Sequence, residues 1–215
     1  MATAEPPIHF ANHPLGHERH ICAFFHSREE EYRFLLPFIR DGIERGEKAF
    51  HIIDPRHMED HLARLREAGI DADTAQARGQ LVVKRWQDAY LQDGRFDQDR
   101  MIALVEEVLS TGAAEGYALT RAIGHMEWAL EDAPGVNDLV AYETRLNLML
   151  PKYSDAVVCT YDCSKFGAGV AMDILRTHPM VILGGVLQRN PFYVPPSEFL
   201  AELAERGTYC AHATA

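Results

Sequence analysis

Short apolar runs alternate with amphipathic stretches along almost the whole chain, and this alternation limits the fold more than any other feature. "HICAFF" (20–25), "KAFHIID" (48–54), "QLVVKRW" (80–86), "YALTRAIG" (117–124), "DAVVCTYD" (155–162) and "MVILGGVL" (180–187) each read as a strand. Between them lie segments with helical spacing. In "REEEYRFLLPFIRDGIERG" (28–46), Tyr32, Leu35, Leu36, Ile39 and Ile43 share one helix face. Ser27 suits an N-cap, Glu29 to Glu31 suit the positive helix start, and Gly46 suits its end. Pro37 predicts a kink or break. Further helices are expected within 55–69, 94–116, 136–153, 168–178 and 195–207. Crossovers of this length give an α/β fold of three layers, a mainly parallel sheet with helices on both faces. The expected organisation is an irregular arm over 1–18, a single domain over 19–208 and a tail over 209–215.

A strand that runs straight into a helix is where many α/β proteins hold phosphate. Here the junction is Phe25-His26-Ser27-Arg28-Glu29-Glu30-Glu31, without glycine. A phosphate loop needs glycines to turn backbone N–H groups inward and a lysine as counter-charge. Three consecutive carboxylates would repel a triphosphate. ATP at a Walker-type loop is therefore not expected.

Bulk properties exclude other classes. The 21 basic and 32 acidic residues give a net charge of −11, which disfavours direct nucleic-acid binding and anionic membranes. No apolar run suits a membrane span and the N-terminus lacks a signal-peptide pattern, so a cytoplasmic location is expected. Cys22, Cys159, Cys163 and Cys210 are too few for a disulfide framework and are expected to be reduced thiols.

Ligands of parallel sheets usually sit beyond the carboxyl ends of the strands. The candidate ligand-binding residues there are His26, Trp86, Tyr90, Arg121, His125, Glu127, Trp128, Glu143, Tyr161 and Asp162. Arg121 lies inside an apolar strand and needs an anionic partner, either a ligand or a carboxylate such as Glu143 or Asp162. Gly124-His125-Met126-Glu127-Trp128 combines flexible backbone, a titratable ring, a carboxylate and a large aromatic; the alternative is that Met126, Trp128 and Leu130 are core and His125 is exposed. Glu143 and Asn147 are four apart on one helix and share a face, so with Arg121, Tyr161 and Asp162 they could line a polar pocket.

His20 and Cys22 form H-x-C on one strand face, and a parallel neighbour could bring Cys159 beside them. An imidazole and thiolates suit a transition metal or haem iron; the alternative is a core thiol and a histidine bonded to backbone. Cys159 and Cys163 have C-x3-C spacing, which does not suit a thioredoxin-like pair. His9, His13 and His17 read as surface residues or a metal-binding arm, and His178-Pro179 and "NPFYVPP" as structural. No nucleophile elbow or H-E-x-x-H occurs, so catalysis has little support.

Eight segments occur in series: "HICAFF", "FIRDGIERGEKAFHII", "AYLQDGRFDQDRM", "LTRAIGHMEWAL", "YETRLN", "VVCTYD", "THPMVILGG" and "NPFYVPP". Together they resemble the MEDS domain, named for methanogen/methylotroph and DcmR sensory proteins, from about residue 17 to residue 200. His20, Cys22 and Arg121 match motif positions of that family. The resemblance implies a RecA/KaiC-like fold lacking a working phosphate-binding loop. It also implies prokaryotic sensing of small molecules such as hydrocarbon derivatives, in proteins often fused to DNA-binding or histidine-kinase-type modules. Neither module is recognisable in these residues. The expected function is a sensory domain that binds a small molecule or cofactor and acts through a signalling or transcription-regulatory partner, with homo-oligomerisation open. The alternative is a metal- or haem-dependent redox enzyme or redox sensor using His20, Cys22 and Cys159.

Overall fold

The computed structural model describes residues 7–213, with side chains through residue 207. A short hairpin, β1 (His9–Phe10) and β2 (His13–Pro14), precedes the main sheet. The sheet contains β3 (His20–Phe25), β4 (Lys48–Ile53), β5 (Leu81–Arg85), β6 (Thr120–His125), β7 (Ala156–Asp162), β8 (Met180–Leu183) and β9 (Val186–Arg189). Its order is β5-β4-β6-β7-β3-β8-β9, parallel throughout except for β9, which runs antiparallel to β8. Every residue of β3, β4 and β6 is buried, because helices cover both faces.

The helices are α1 (Arg28–Glu44), α2 (Met58–Glu67), α3 (Ala72–Ala77), α4 (Gln98–Ala114), α5 (Leu139–Met149), α6 (Ala168–Thr177) and α7 (Pro196–Ala213). Period-two alternation divides the strands between two cores. Ile21, Ala23 and Phe25 of β3 meet Leu35, Phe38 and Ile39 of α1, with Leu65 of α2 and Ala72 of α3 in the same core. Cys22 and Phe24 belong to the opposite core with Met101 and Leu109 of α4, Tyr142 and Leu146 of α5, and Ile174 of α6. α7 packs on α5 and α6.

Four features differ from the sequence reading. Within the expected irregular arm, residues 9–14 form the hairpin, and Ile8, Phe10 and Leu15 are buried, with the Phe10 ring 4.5 Å from Phe38 of α1. Burial of those alternating apolar residues fixes the segment. The "MVILGGVL" strand is a hairpin, because Gly184 and Gly185 both take positive φ (56° and 76°) in the tight turn between β8 and β9. α1 continues through Pro37 without a break; Pro37 and Arg33 are both exposed, so the carbonyl that loses its donor lies on the solvent side. α3 was not anticipated; Asp71 caps it by accepting from the Thr74 N–H.

Arg121 ties α1 to the sheet. Its guanidinium is buried and donates to Glu47 (2.5 Å), Asp41 (2.6 Å) and the Phe38 carbonyl (2.5 Å), and it lies over the Phe38 ring. The expected partners Glu143 and Asp162 are not used, because Arg121 projects toward α1 while Glu143 lies on the other face. Gly42 is part of this contact: a Cβ there would lie 2.8 Å from Arg121 Cδ and Nε. On the same face, buried histidines form a chain. The Tyr32 hydroxyl contacts His61 Nδ1 at 2.7 Å, and His61 Nε2 contacts His51 Nδ1 at 3.0 Å. Burial, then the neighbouring His125, depresses the His51 pKa from 6.5 to about 3, and His61 is also held well below its usual range.

Two outcomes follow. Arg121→Met takes from buried Glu47 its closer cation, leaving it Arg45 at 2.8 Å, and is expected to cost about 3 kcal/mol in denaturant unfolding. For His51, the unfolded chain binds a proton below pH 6.5 while the folded chain does not until about pH 3. Stability is therefore complete above pH 6.5 and falls as the pH drops through that window. His51→Phe is expected to flatten the fall between pH 6.5 and 4.5, read from urea midpoints.

Candidate functional site

At the carboxyl edge, the start of α1 satisfies its own N–H groups. Ser27 Oγ accepts from the Glu30 N–H (3.2 Å), and the Glu30 carboxylate accepts from the His26 N–H (2.8 Å). This capping arrangement, with the carboxylate reaching the residue before the N-cap, leaves those two donors unavailable to a phosphate. The remaining cavity, beside Phe25, Ser27, Arg28, Glu31, Glu127 and Asp162, measures about 10 Å³. That is room for about one water molecule.

The residues expected to line a pocket there are otherwise engaged. Tyr90 stacks on Trp128 (centroids 4.7 Å apart), Phe96 lies against the other partners of this cluster, and Trp86 is buried nearby in the same core. Met126 and Trp128 are fully buried, as the core alternative has it, but Leu130 is exposed and His125 is buried, against it. Gly124 admits this packing, since a Cβ would collide with the Tyr90 hydroxyl. His125 lies on the α1 side, with Nδ1 3.4 Å from Glu31 Oε1. Glu127 pairs with Lys165 (2.9 Å), which also pairs with Asp162 (3.2 Å), and His26 is exposed. The carboxyl edge is thus filled by aromatic rings and closed by ion pairs. Large side chains occupy the space that a ligand would need.

On the opposite face, toward the amino ends of the strands, four elements converge. His20 opens β3, Cys159 lies within β7, Glu143 projects from α5, and His178 links α6 to β8. The β3–β7 register sets Cys22 opposite Cys159, so both thiols face α5. Glu143 Oε2 lies 3.3 Å from His20 Nε2 and 3.3 Å from His178 Nε2, and accepts from Cys159 Sγ at 3.6 Å. Its other oxygen accepts from the Tyr161 hydroxyl at 3.1 Å. The two imidazoles lie against each other at a tilt of 39°, with centroids 4.1 Å apart. All four residues are buried, and Glu143 and His178 are fully enclosed.

The electrostatics are one-sided. Burial alone would raise the Glu143 carboxyl, but the flanking His178 and His20 outweigh it and its pKa falls from 4.5 to about 2. Burial, then His20, holds His178 below its usual range. Burial, then Glu143, pushes the Cys22 and Cys159 thiols well above theirs. Neither thiol presents a ready nucleophile. The enclosed rings leave no open face for a haem macrocycle. Of the sequence's metal candidates, His20 and Cys159 enter the quartet, whereas Cys22 donates instead to the Met180 carbonyl (3.7 Å).

Beside the quartet, a cleft of about 290 Å³ opens at the amino edge. Leu150, Pro151, Tyr153, Pro179 and Tyr193 form its apolar walls, and His20 and Asn147 reach it from the quartet side. The sequence reading did not find this cleft, nor the role of His178. His178-Pro179 looks structural because a histidine before a buried strand carries no local signal of what α5 brings opposite it. The i, i+4 spacing of Glu143 and Asn147 did locate the polar face of α5.

Residues 19–179 match the family model "MEDS: MEthanogen/methylotroph, DcmR Sensory domain". The chain is 24% identical over 165 residues to the transcriptional repressor DcmR of Methylorubrum extorquens (strain DSM 6343 / CIP 106787 / DM4). That match covers 76% of this chain and 59% of the repressor, so the chain spans well under two thirds of its relative. Two solved structures share the fold. The KaiC-like protein PH0186 of Pyrococcus horikoshii OT3 has a TM-score of 0.53 at 14% identity, covering 76% of this chain and 69% of that one. The flagellar accessory protein FlaH of Methanocaldococcus jannaschii has a TM-score of 0.53 at 13% identity, covering 82% and 78%. The expected RecA/KaiC-like class is the observed one, and among the described residues no helix is long and apolar enough to cross a membrane. With three quarters of its length matched by the family model, this chain belongs to the MEDS family of sensory domains.

Proposed function

We propose that the chain is a non-enzymatic sensory domain of a cytoplasmic regulatory system, binding a small and mainly apolar molecule in the amino-edge cleft and acting through a transcription-regulatory protein. One observation carries this reading: the carboxyl edge keeps room for about one water molecule, whereas the amino edge holds about 290 Å³ beside a buried polar cluster. That volume is at the low end of the roughly 300–1,000 Å³ typical of small-molecule sites, which suits a compact ligand. Apolar walls would take its body, and a polar residue of the lining, such as His17 or Asp155, would face one polar atom.

α5 connects the cleft to the surface. Asn147 and Leu150, at its end, border the cleft, while its Leu148 is exposed. The helix packs on α6 and α7, and α6 exposes Val170 and Met172. A ligand that binds unequally to two positions of α5 shifts their populations, and a partner that reads this surface senses the shift. The net charge of −11 favours a protein reader over direct contact with DNA.

A panel of small alcohols, ketones and other short-chain organics tests this by thermal unfolding and calorimetry. At least one is expected to raise the unfolding temperature saturably, and Leu150→Trp, which fills the cleft, is expected to remove that rise. No shift from any compound, or a shift that survives Leu150→Trp, would overturn the assignment. Magnesium–ATP is expected to leave the unfolding temperature unchanged, since the start of α1 is already capped. A saturable, magnesium-dependent rise would contradict that.

A further inference from the structure

We propose that His20 Nε2, His178 Nε2, Cys159 Sγ and Glu143 Oε2 bind a divalent transition-metal ion of the zinc class. The argument rests on which ring nitrogens carry protons. Asn147 Nδ2 donates to the carbonyls of Glu143 (3.1 Å) and Thr177 (2.6 Å), which fixes the amide orientation. Its Oδ1 therefore faces His20 Nδ1 at 2.9 Å and can only accept, so the His20 proton is on Nδ1. The Thr177 hydroxyl donates to the Ile174 carbonyl (2.8 Å), which leaves it to accept from His178 Nδ1 at 2.7 Å. His178 Nδ1 also faces that carbonyl at 3.1 Å, so its proton is on Nδ1 as well.

Each ring therefore turns Nε2 toward the same carboxylate oxygen, at 3.3 Å. His178 Nε2 is fully buried. Two ring nitrogens, a carboxylate oxygen and a thiol converging in a dry enclosure need a cation among them, either a proton on a ring or a metal ion held by all four, and the four donor atoms lie within 4.8 Å of one another, as a metal requires. A divalent ion fits the charge: with one carboxylate, one thiolate and two neutral imidazoles, the centre is neutral overall. That avoids the cost of a buried net charge. The thiol proton of Cys159 is released to solvent as the ion takes its place.

The geometry agrees. A tetrahedral ion at ordinary zinc–ligand lengths sets its ligand atoms about 3.3–3.6 Å apart. Here four of the six separations are 3.3 Å from each imidazole to Glu143, 3.6 Å from Cys159 to Glu143 and 3.8 Å from Cys159 to His20, and all six lie within 4.8 Å, so an ion draws the set inward. Both Nδ1 groups donate to oxygen acceptors, as the outer shell of metal-bound histidines usually does. The Tyr161 hydroxyl holds Oε1, leaving Oε2 as the single carboxylate ligand. The N₂OS set selects a borderline ion such as Zn²⁺ or Co²⁺ over a hard one. Four protein ligands make a closed site that staples α5 and the α6–β8 link to the sheet. The site adjoins the cleft through His20 and Asn147, but Leu150→Trp tests the cleft and Cys159→Ser the metal, so either can fail without the other.

Full-length protein, freed of metal by chelator, is titrated with Co²⁺ and then Zn²⁺. We expect one Co²⁺ per chain with tetrahedral ligand-field bands and a thiolate charge-transfer band, displacement by Zn²⁺, and a higher unfolding temperature with either ion. Cys159→Ser removes the charge-transfer band, His178→Gln removes stoichiometric binding, and Asn147→Leu weakens it roughly 10–100-fold. Cys22→Ser leaves binding and spectrum intact. Absence of saturable Co²⁺ binding by the wild type overturns the proposal, as does a charge-transfer band that survives Cys159→Ser or vanishes with Cys22→Ser. Should the quartet variants not fold, zinc-edge X-ray absorption on the wild type decides. One sulfur among nitrogen and oxygen neighbours supports the site, and a shell with no sulfur or with two overturns it.

Discussion

The bonds that Ser27 and Glu30 make at the start of α1 set the terms for the rest of the molecule. A helix that starts at the mouth of a parallel sheet has N–H groups pointing into open space. In a phosphate-binding protein an anion takes them. Here the Ser27 hydroxyl takes the Glu30 N–H at 3.2 Å, and the Glu30 carboxylate takes the preceding His26 N–H at 2.8 Å. With the anion unnecessary, glycines and a lysine have no role at that bend. Large side chains then fill the mouth: Tyr90, Phe96 and Trp128 on one side, and the Tyr32–His61–His51 chain on the other. Free volume and unbalanced polarity appear instead at the opposite end of the strands.

That relocation explains which parts of the site the sequence disclosed. Strand and helix periodicity is local, so nearly every sheet element and the parallel three-layer arrangement were legible. Period-two alternation also placed His20, Cys22 and Cys159 together, because parallel register keeps neighbouring strands in step. Which end of the sheet holds the cavity depends on how bulky side chains pack across 100 residues, and no local pattern reports it. Arg121 shows the same limit. Its need for a carboxylate was plain, but the choice of Asp41 and Glu47 follows from the face on which it emerges. His178 gave no signal because its partner, Glu143, arrives from a different helix.

The two buried polar clusters differ in kind. The His51–His61 chain hands each contact to the next group and ends in neutral rings, which suits a static core element. Around Glu143, three side chains point at one carboxylate and the outer ring nitrogens are already committed. The first is a linear relay in which His51 Nε2 is buried without a hydrogen-bond partner, while the second is organised about a point between its members. Both lie under helices that cover the sheet, but only the second borders a cleft.

The β8–β9 turn has its own consequence. A parallel sheet ending on β8 would present a straight row of unpaired backbone groups to other chains. Gly184 and Gly185 fold the chain back at once, and the outermost strand is only four residues long, with Gln188 and Arg189 exposed on it. At the other margin, β5 ends in Lys84 and Arg85. Brief, charged borders of this kind discourage edge-to-edge stacking and fibre growth, so the fold guards its solubility where its hydrogen bonding runs out.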